Sequence, residues 1–275
     1  METLLLFFEQ MPNSQKLLWV MACLAMSWLL EGSFPLAQLS YRKWKHAGAN
    51  FVFLATTLII NAGFSALSVN ATTWTSAQSF GLLHLFDTHV LVELAIALVL
   101  LDLTAQYWAH YLLHKIRWMW RMHVIHHSDT KVDATTGTRL HPGDFAVREV
   151  FALGALVLTG APLAFYVIYR VTTTFFTFLT HANFSLPKWA DTLLSLVFVT
   201  PDMHKFHHHF ERPWTDMNFG GILSIWDRMF GTFVYGDPRD VSYGVDVADA
   251  ALDEDVLHQF LLPFRHGSSL DRDPL

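Results

Sequence analysis

Sixteen of the 275 residues are histidine, and eight of those fall at spacings that suit metal binding. His110 and His114 are four apart in His-Tyr-Leu-Leu-His, and His123, His126 and His127 follow as His-x-x-His-His. The same pattern recurs as His204, His207 and His208. On a helix these offsets fall on one face, so the pair and each triplet can offer their nitrogens to one point in space. His181 supplies a ninth candidate. Nine nitrogens exceed the needs of one metal, since a closed zinc site takes four ligands and a catalytic one three plus water. They suit two metals with four or five nitrogens each.

Imidazole binds Zn, Cu, Fe and Ni alike, so the chemistry must choose among them. The lone Cys23 lies in an apolar stretch, which leaves neither a disulfide framework nor a thiolate site. Zinc would direct the site toward hydrolysis, which calls for a carboxylate base, and the chain has no His-Glu-x-x-His. Iron can activate dioxygen, and an all-imidazole shell at the edge of a bilayer is placed for a hydrocarbon substrate. A membrane metal carrier or storage protein is the rival of another class. It would need ligands near mid-membrane on a transport path.

Metal-bound imidazoles usually pass their second ring proton to a carboxylate or carbonyl. Asp102, eight residues before His110 in an apolar stretch, is a candidate for that support, as an intramembrane carboxylate is functional by default. Asp202, Asp216, Asn218 and Asp227 are further candidates, against a reading as turn or cap residues. His141, before Pro142, reads as a supporting or structural residue. His46, His84, His89, His258 and His266 lack a partner at ligand spacing and read as solvated or interfacial. Arg170 falls at a depth comparable with Asp102, so the two could pair, or Arg170 could snorkel. Within His207-His208-His209, a helical advance of about 100° per residue turns His209 away from the stripe that starts at His204.

The elements that must position these residues are apolar. Hydrophobic residues make up 52% of the chain and charged ones only 15%, poor proportions for a water-facing surface. A net charge of −6 with no basic stripe excludes a nucleic-acid footprint. Apolar segments at 17–39, 50–69 and 89–113 reach the roughly 20 residues that a crossing needs. A fourth region, 147–181, is broken by Gly160-Ala161-Pro162 into arms of roughly 14 and 18 residues and reads as a helical hairpin. The N-terminus shows no basic region or small-residue cleavage site and is expected to be retained. Arg42, Lys43 and Lys45 place 41–46 in the cytoplasm, and the Lys/Arg-free stretch 69–88 falls outside. Every histidine cluster then lies at the cytoplasmic face, as does the C-terminus.

The expectation is an all-α membrane protein of about four transmembrane segments, the last a hairpin, with a cytoplasmic helical cap rich in histidine. It forms one domain over 1–275, with an anchor at 1–90, the histidine-rich region at 91–235 and a cytoplasmic tail at 236–275. The stretch 252–264 reads as a surface helix.

Several runs resemble the fatty acid hydroxylase/sterol desaturase superfamily over roughly residues 95–235. They are Leu101-Asp102 through His110–His114, Arg121-Met-His123 through His127-Ser128, Arg139-Leu-His141-Pro142, His181-Ala-Asn183, Thr200 through Asn218-Phe-Gly220, and Leu223 through Thr232. The resemblance implies a four-crossing anchor, two non-haem irons on the histidine cluster and dioxygen as co-substrate. It also implies hydroxylation or desaturation of a fatty acyl chain, sphingoid base, sterol, carotenoid or ether lipid. Electrons must come from a separate ferredoxin, rubredoxin or cytochrome, because the chain has no flavin, nicotinamide or haem motif. Tyr111, Phe219 and His209 stand where the family often has Arg, Tyr and Ser; none of the three removes a ligand.

Overall fold

Apolar sequence with few breakers gives long helices. The computed structural model describes residues 1–211 and 213–265, so His266 and the tail beyond 265 lie outside the described residues. A short α1 (Glu2–Glu9) precedes α2 (Asn13–Ser33) and the 36-residue α3 (Lys43–Gln78). A third column combines α4 (Val90–Leu101), a π-helical stretch (Asp102–Trp108) and α5 (Ala109–Lys115). Then come α6 (Arg117–His127), α7 (Pro142–Thr159), α8 (Leu163–His181), α9 (Lys188–Leu194), α10 (Pro201–His207), α11 (Ile225–Phe230) and α12 (Val256–Leu261). Among the described residues there are no strands beyond isolated bridges.

Four stretches are long and apolar enough to cross a bilayer: Asn13–Ser33, Lys43–Leu85, Val90–Lys115 and Leu163–His181. The chain is thus an all-α membrane protein. The second crossing outruns the expected 50–69 at both ends, and α3 spans about 54 Å at 1.5 Å per residue. Along its polar far end Thr72 and Thr75 satisfy their hydroxyls on carbonyls of the preceding turn, at 2.9 and 3.1 Å, so these polar side chains need no outside partner. In the hairpin, Gly160 ends α7 in the left-handed region (φ 66°) and Pro162 precedes α8. Gly81 (φ 118°) meets Gly160 so closely that a Cβ on it would lie 2.4 Å from the Gly160 nitrogen. Two glycines therefore close the end of the bundle away from the histidines.

Both arms of the hairpin pack on the third column through small residues. Ala97, Ala105, Ala152, Ala155, Ala161 and Ala164 are buried beside Leu101, Leu156, Phe165 and Tyr169. Small side chains let helices approach closely where no water drives them together.

The buried charges corrected two expectations. Arg170 does not meet Asp102. Its guanidinium donates to Glu149 at 2.5 Å and to Asn61 at 3.1 Å, joining α8 to α7 and α3. His46 is neither solvated nor interfacial but fully buried, 3.3 Å from Asp129. Asn50, Asp133, Thr135 and Arg139 surround it in a polar network that ties α3 to the segment after α6. The expected surface helix at 252–264 is a short α12 flanked by single 3-10 turns, with Gln259 and Leu262 buried and Phe260 stacked on Phe53 at 4.6 Å.

Candidate metal centre

The ends of α5 and α8 meet α6 and α10 at one face of the bundle, and the nine histidines converge there. They form two groups. His110, His114, His123, His127 and His207 make one, and His126, His181, His204 and His208 the other; within each group one nitrogen per residue lies within 4.8 Å of the rest. None of the nine is more than 6% exposed.

The two His-x-x-His-His motifs do not each serve one point, as their spacing had suggested. From α6, His123 and His127 enter the first group and His126 the second; from α10 and its C-cap His208, His204 and His208 enter the second and His207 the first. Residues four apart differ by about 40° around a helix and aim together, whereas the residue at offset three lies about 100° from the one at offset four. Each helix therefore stands between the groups and feeds both. His209 belongs to neither, and its Nδ1 accepts a hydrogen bond from the Glu211 amide at 3.0 Å.

Hydrogen bonds on the outer nitrogens fix the tautomers. Nδ1–H donates to a backbone carbonyl in His110 (Phe219, 2.9 Å), His181 (Thr177, 2.7 Å) and His207 (Met217, 2.7 Å). It donates to a carboxylate in His114 (Asp216, 3.1 Å) and His123 (Asp144, 2.7 Å). A carbonyl or carboxylate only accepts, so Nε2 of these five carries a lone pair aimed into its group.

The Nε2 atoms of His110 and His123 lie 3.1 Å apart, and those of His181 and His204 3.0 Å apart. In the first pair both protons are already assigned to the outer nitrogens, so two lone pairs face each other and repel without a cation between them. Bonds of about 2.1 Å to one metal ion put neighbouring nitrogens about 3 Å apart. His114 and His207 add buried Nε2 atoms with no partner among the described residues. The residues present therefore fit metal ions.

Burial and the crowding of neighbouring imidazoles push His126, His127, His204, His207 and His208 well below the ordinary histidine pKa. Burial lowers His123 to about 4. Neutral imidazoles are the ligating form.

The supporting residues are placed less directly than their spacing suggested. Asp102 bonds to no imidazole among the described residues. Its oxygens accept from the Ile222 and Leu223 amides (3.2 and 3.1 Å) and the Trp226 indole (2.8 Å). The π-helical stretch, with its i→i+5 bonding, breaks the register that would have aligned Asp102 with His110. Asp227 accepts from the Phe219 and Gly220 amides (2.7 and 2.9 Å), holding the peptide whose carbonyl receives the proton of His110. Burial pushes Asp227 up to about 6, against these hydrogen bonds. Asn218, in the left-handed region at φ 56°, donates to the Met203 and Val234 carbonyls. Asp202 accepts from the Ser185 hydroxyl at 2.7 Å and His141 caps α7; neither touches a group.

Asp144 is the supporting residue that sequence spacing missed. It is fully buried in the first turn of α7, between His123 and Arg148 (2.8 Å). Its signal was slight: an acidic residue beginning an apolar helix with Arg four residues on.

With this geometry established, sequence comparison decides the family. The profile of the fatty acid hydroxylase family matches residues 94–232, half of the chain and all nine histidines. The chain belongs to the fatty acid hydroxylase family. Within that family it is 33% identical over 141 residues to an ornithine lipid hydroxylase of Rhizobium tropici, a match covering 51% of this chain and 41% of the relative. It is 30% identical over 151 residues to the human alkylglycerol monooxygenase, covering 50% and 30% of the two chains. A cholesterol 25-hydroxylase-like protein of Danio rerio is 30% identical over 148 residues, with 52% of each chain covered. The fatty acid hydroxylase segment thus spans no more than about half the length of these relatives. No solved structure is significantly similar to the chain. Where the family often has Tyr, Phe219 is fully buried with its ring 5.1 Å from that of His114 and 5.7 Å from that of His207, a purely apolar cover for the first group.

Proposed function

We propose that this protein hydroxylates a C–H bond of a membrane lipid, using dioxygen, a pair of iron ions and electrons from a separate protein. The observation that carries this reading is the pair of buried, all-imidazole groups at one end of a transmembrane bundle. His110, His114, His123, His127 and His207 would hold one ion, and His126, His181, His204 and His208 the other. Iron bound there supplies reductive activation of dioxygen, chemistry that no side chain of this chain can perform.

The protein's own part is to hold and exclude. Asp144, Asp216 and three backbone carbonyls keep one proton on the outer nitrogen of five imidazoles, so that the inner nitrogens remain ligands. Asp227 fixes the Phe219 peptide, and burial keeps water from competing at the site. In the balanced reaction one oxygen atom of dioxygen enters the C–H bond. The other leaves as water with two electrons and two protons. Hydroxylation is favoured over desaturation because the relatives are named as hydroxylases and monooxygenases. Their named substrates, an ornithine lipid, an alkylglycerol and a cholesterol-type sterol, support a lipid that has a polar head.

Positive-inside bias from Arg42, Lys43 and Lys45, with Lys115, Arg117 and Arg121, supports a cytoplasmic histidine face, on the side of a soluble ferredoxin, rubredoxin or cytochrome donor. Metal analysis of detergent-purified protein from iron-sufficient cells tests the metal assignment. Two irons per chain are expected. A single tightly held zinc with no iron would replace this reading with a membrane hydrolase.

A further inference from the structure

α2 and α8 both end at the histidine face, and the chain leaving them builds a cleft there. Phe34–Leu36 forms one wall and Ser185–Lys188 another, the loop 235–239 closes the third side, and Asp202 lies at the floor; the volume is about 570 Å³. The cleft thus sits where two crossings leave the bilayer, at the level of lipid headgroups. Phe34 and Trp189, 69% and 75% exposed, flank it as aromatic residues do at a membrane boundary. Asp202 is two residues before His204 on α10, about 200° around the helix, so α10 presents one face to the cleft and the other to the second histidine group.

One buried polar atom of this cleft is unsatisfied. Asp202 is 5% exposed and uses Oδ2 to accept from Ser185, while Oδ1 has no partner among the described residues. A buried carboxylate oxygen left without a donor is costly, so it calls for a cation or N–H donor from outside the protein. At the rim Lys188 is exposed and makes no ion pair with any described residue, whereas the other cation, Arg239, is already held by Asp237 at 2.5 Å. A buried acceptor inside and an exposed ammonium at the rim, near Asp237, match a ligand carrying both signs of charge. The volume is of the size that small-molecule clefts use.

We propose that this cleft binds the zwitterionic headgroup of a membrane lipid, its primary ammonium on Asp202 and its anionic group on Lys188. The inference rests on the reading of the protein as a lipid hydroxylase and specifies the class of lipid it receives. Asp202 acts here as a positioning residue, holding the head while the apolar chain remains with the bundle.

The test uses full-length protein in mixed micelles containing phosphatidylethanolamine, which bears both charges, or phosphatidylglycerol, which bears only the anion. Bound lipid is counted by native mass spectrometry, alongside bound metal. Wild-type protein is expected to retain phosphatidylethanolamine preferentially. Asp202→Asn is expected to weaken that binding about tenfold, the worth of a hydrogen bond to a charged group, with metal content unchanged. Equal retention of the two lipids, or unchanged binding by Asp202→Asn, overturns the proposal. If Asp202→Asn loses metal or folds poorly, the surface variant Lys188→Gln decides: a several-fold loss supports the site, and unchanged binding overturns it. Wild-type protein that discriminates the lipids yet forms no dioxygen-dependent product would overturn the hydroxylase reading alone.

Discussion

The carboxylate of Asp144 accepts a hydrogen bond from His123 at 2.7 Å, with both side chains fully buried, so the first turn of α7 sets the tautomer of a histidine 21 residues earlier. Removing such a support typically lowers metal affinity by about 10–100-fold. Asp144→Ala is expected to lose metal from the first group while the second keeps its own. Titration with a chelator, followed by metal analysis, reads the difference; equal retention at both groups would show that the contact is only structural.

Within the run 207–209, His207 and His208 enter different groups and His209 enters neither. His207→Ala and His208→Ala should each abolish activity and reduce bound metal, and His209→Ala should keep both within a few-fold. Metal loss in His209→Ala but not in His208→Ala would contradict the assignment of this motif.

How far these groups could be read from sequence depended on the range of the interaction. Spacings of three and four are local, so His110 through His208 stood out as candidates without a fold. What the spacing concealed was the division of each motif between two centres. That depends on where a second helix lies, and one stripe of imidazoles is about 100° wide, enough to face two ways. Asp144 and the Glu149–Arg170 pair were invisible for a similar reason: each joins helices whose packing no local pattern records. Asp102 was recognisable as a buried carboxylate, but the π-helical stretch after it rotated its face toward Trp226. The crossings were legible from composition alone. Their ends were not, because α3 continues through polar residues whose hydroxyls bond within the helix.

The Glu149–Arg170 pair lies between α7 and α8, where an unpartnered charge has no water to turn to. Arg170→Met alone is expected to destabilise the protein by about 3 kcal/mol, and the double change Glu149→Leu with Arg170→Met should recover most of that loss. Thermal unfolding in detergent checks it. A double variant no more stable than the single one would contradict the pairing.

Metal-stripped protein should be sensitive to acid in a particular window. His123 falls to about 4 from an ordinary 6.5, so below 6.5 the unfolded chain binds protons that the folded one refuses. The contribution to stability is therefore complete above pH 6.5 and is lost as the pH falls toward 4. A melting temperature that declines across that window, and less steeply in the metal-loaded protein, is the expected result; a rise on acidification would contradict it.

The proposed orientation is open to a separate check with reporter fusions. A fusion after residue 78 is expected outside, and fusions at 131 and 240 inside. An external reporter at 131 would put the histidine face out of reach of a cytoplasmic electron donor.

In the proposed reaction an oxygen atom from dioxygen enters a lipid C–H bond at the two histidine groups. Membranes containing the wild-type protein, given a reductant system and dioxygen labelled with the heavy oxygen isotope, should yield a lipid that carries one labelled hydroxyl oxygen by mass spectrometry. The His127→Ala protein should yield none. A hydroxyl oxygen drawn from water, or the same product formed without dioxygen, would rule this reaction out.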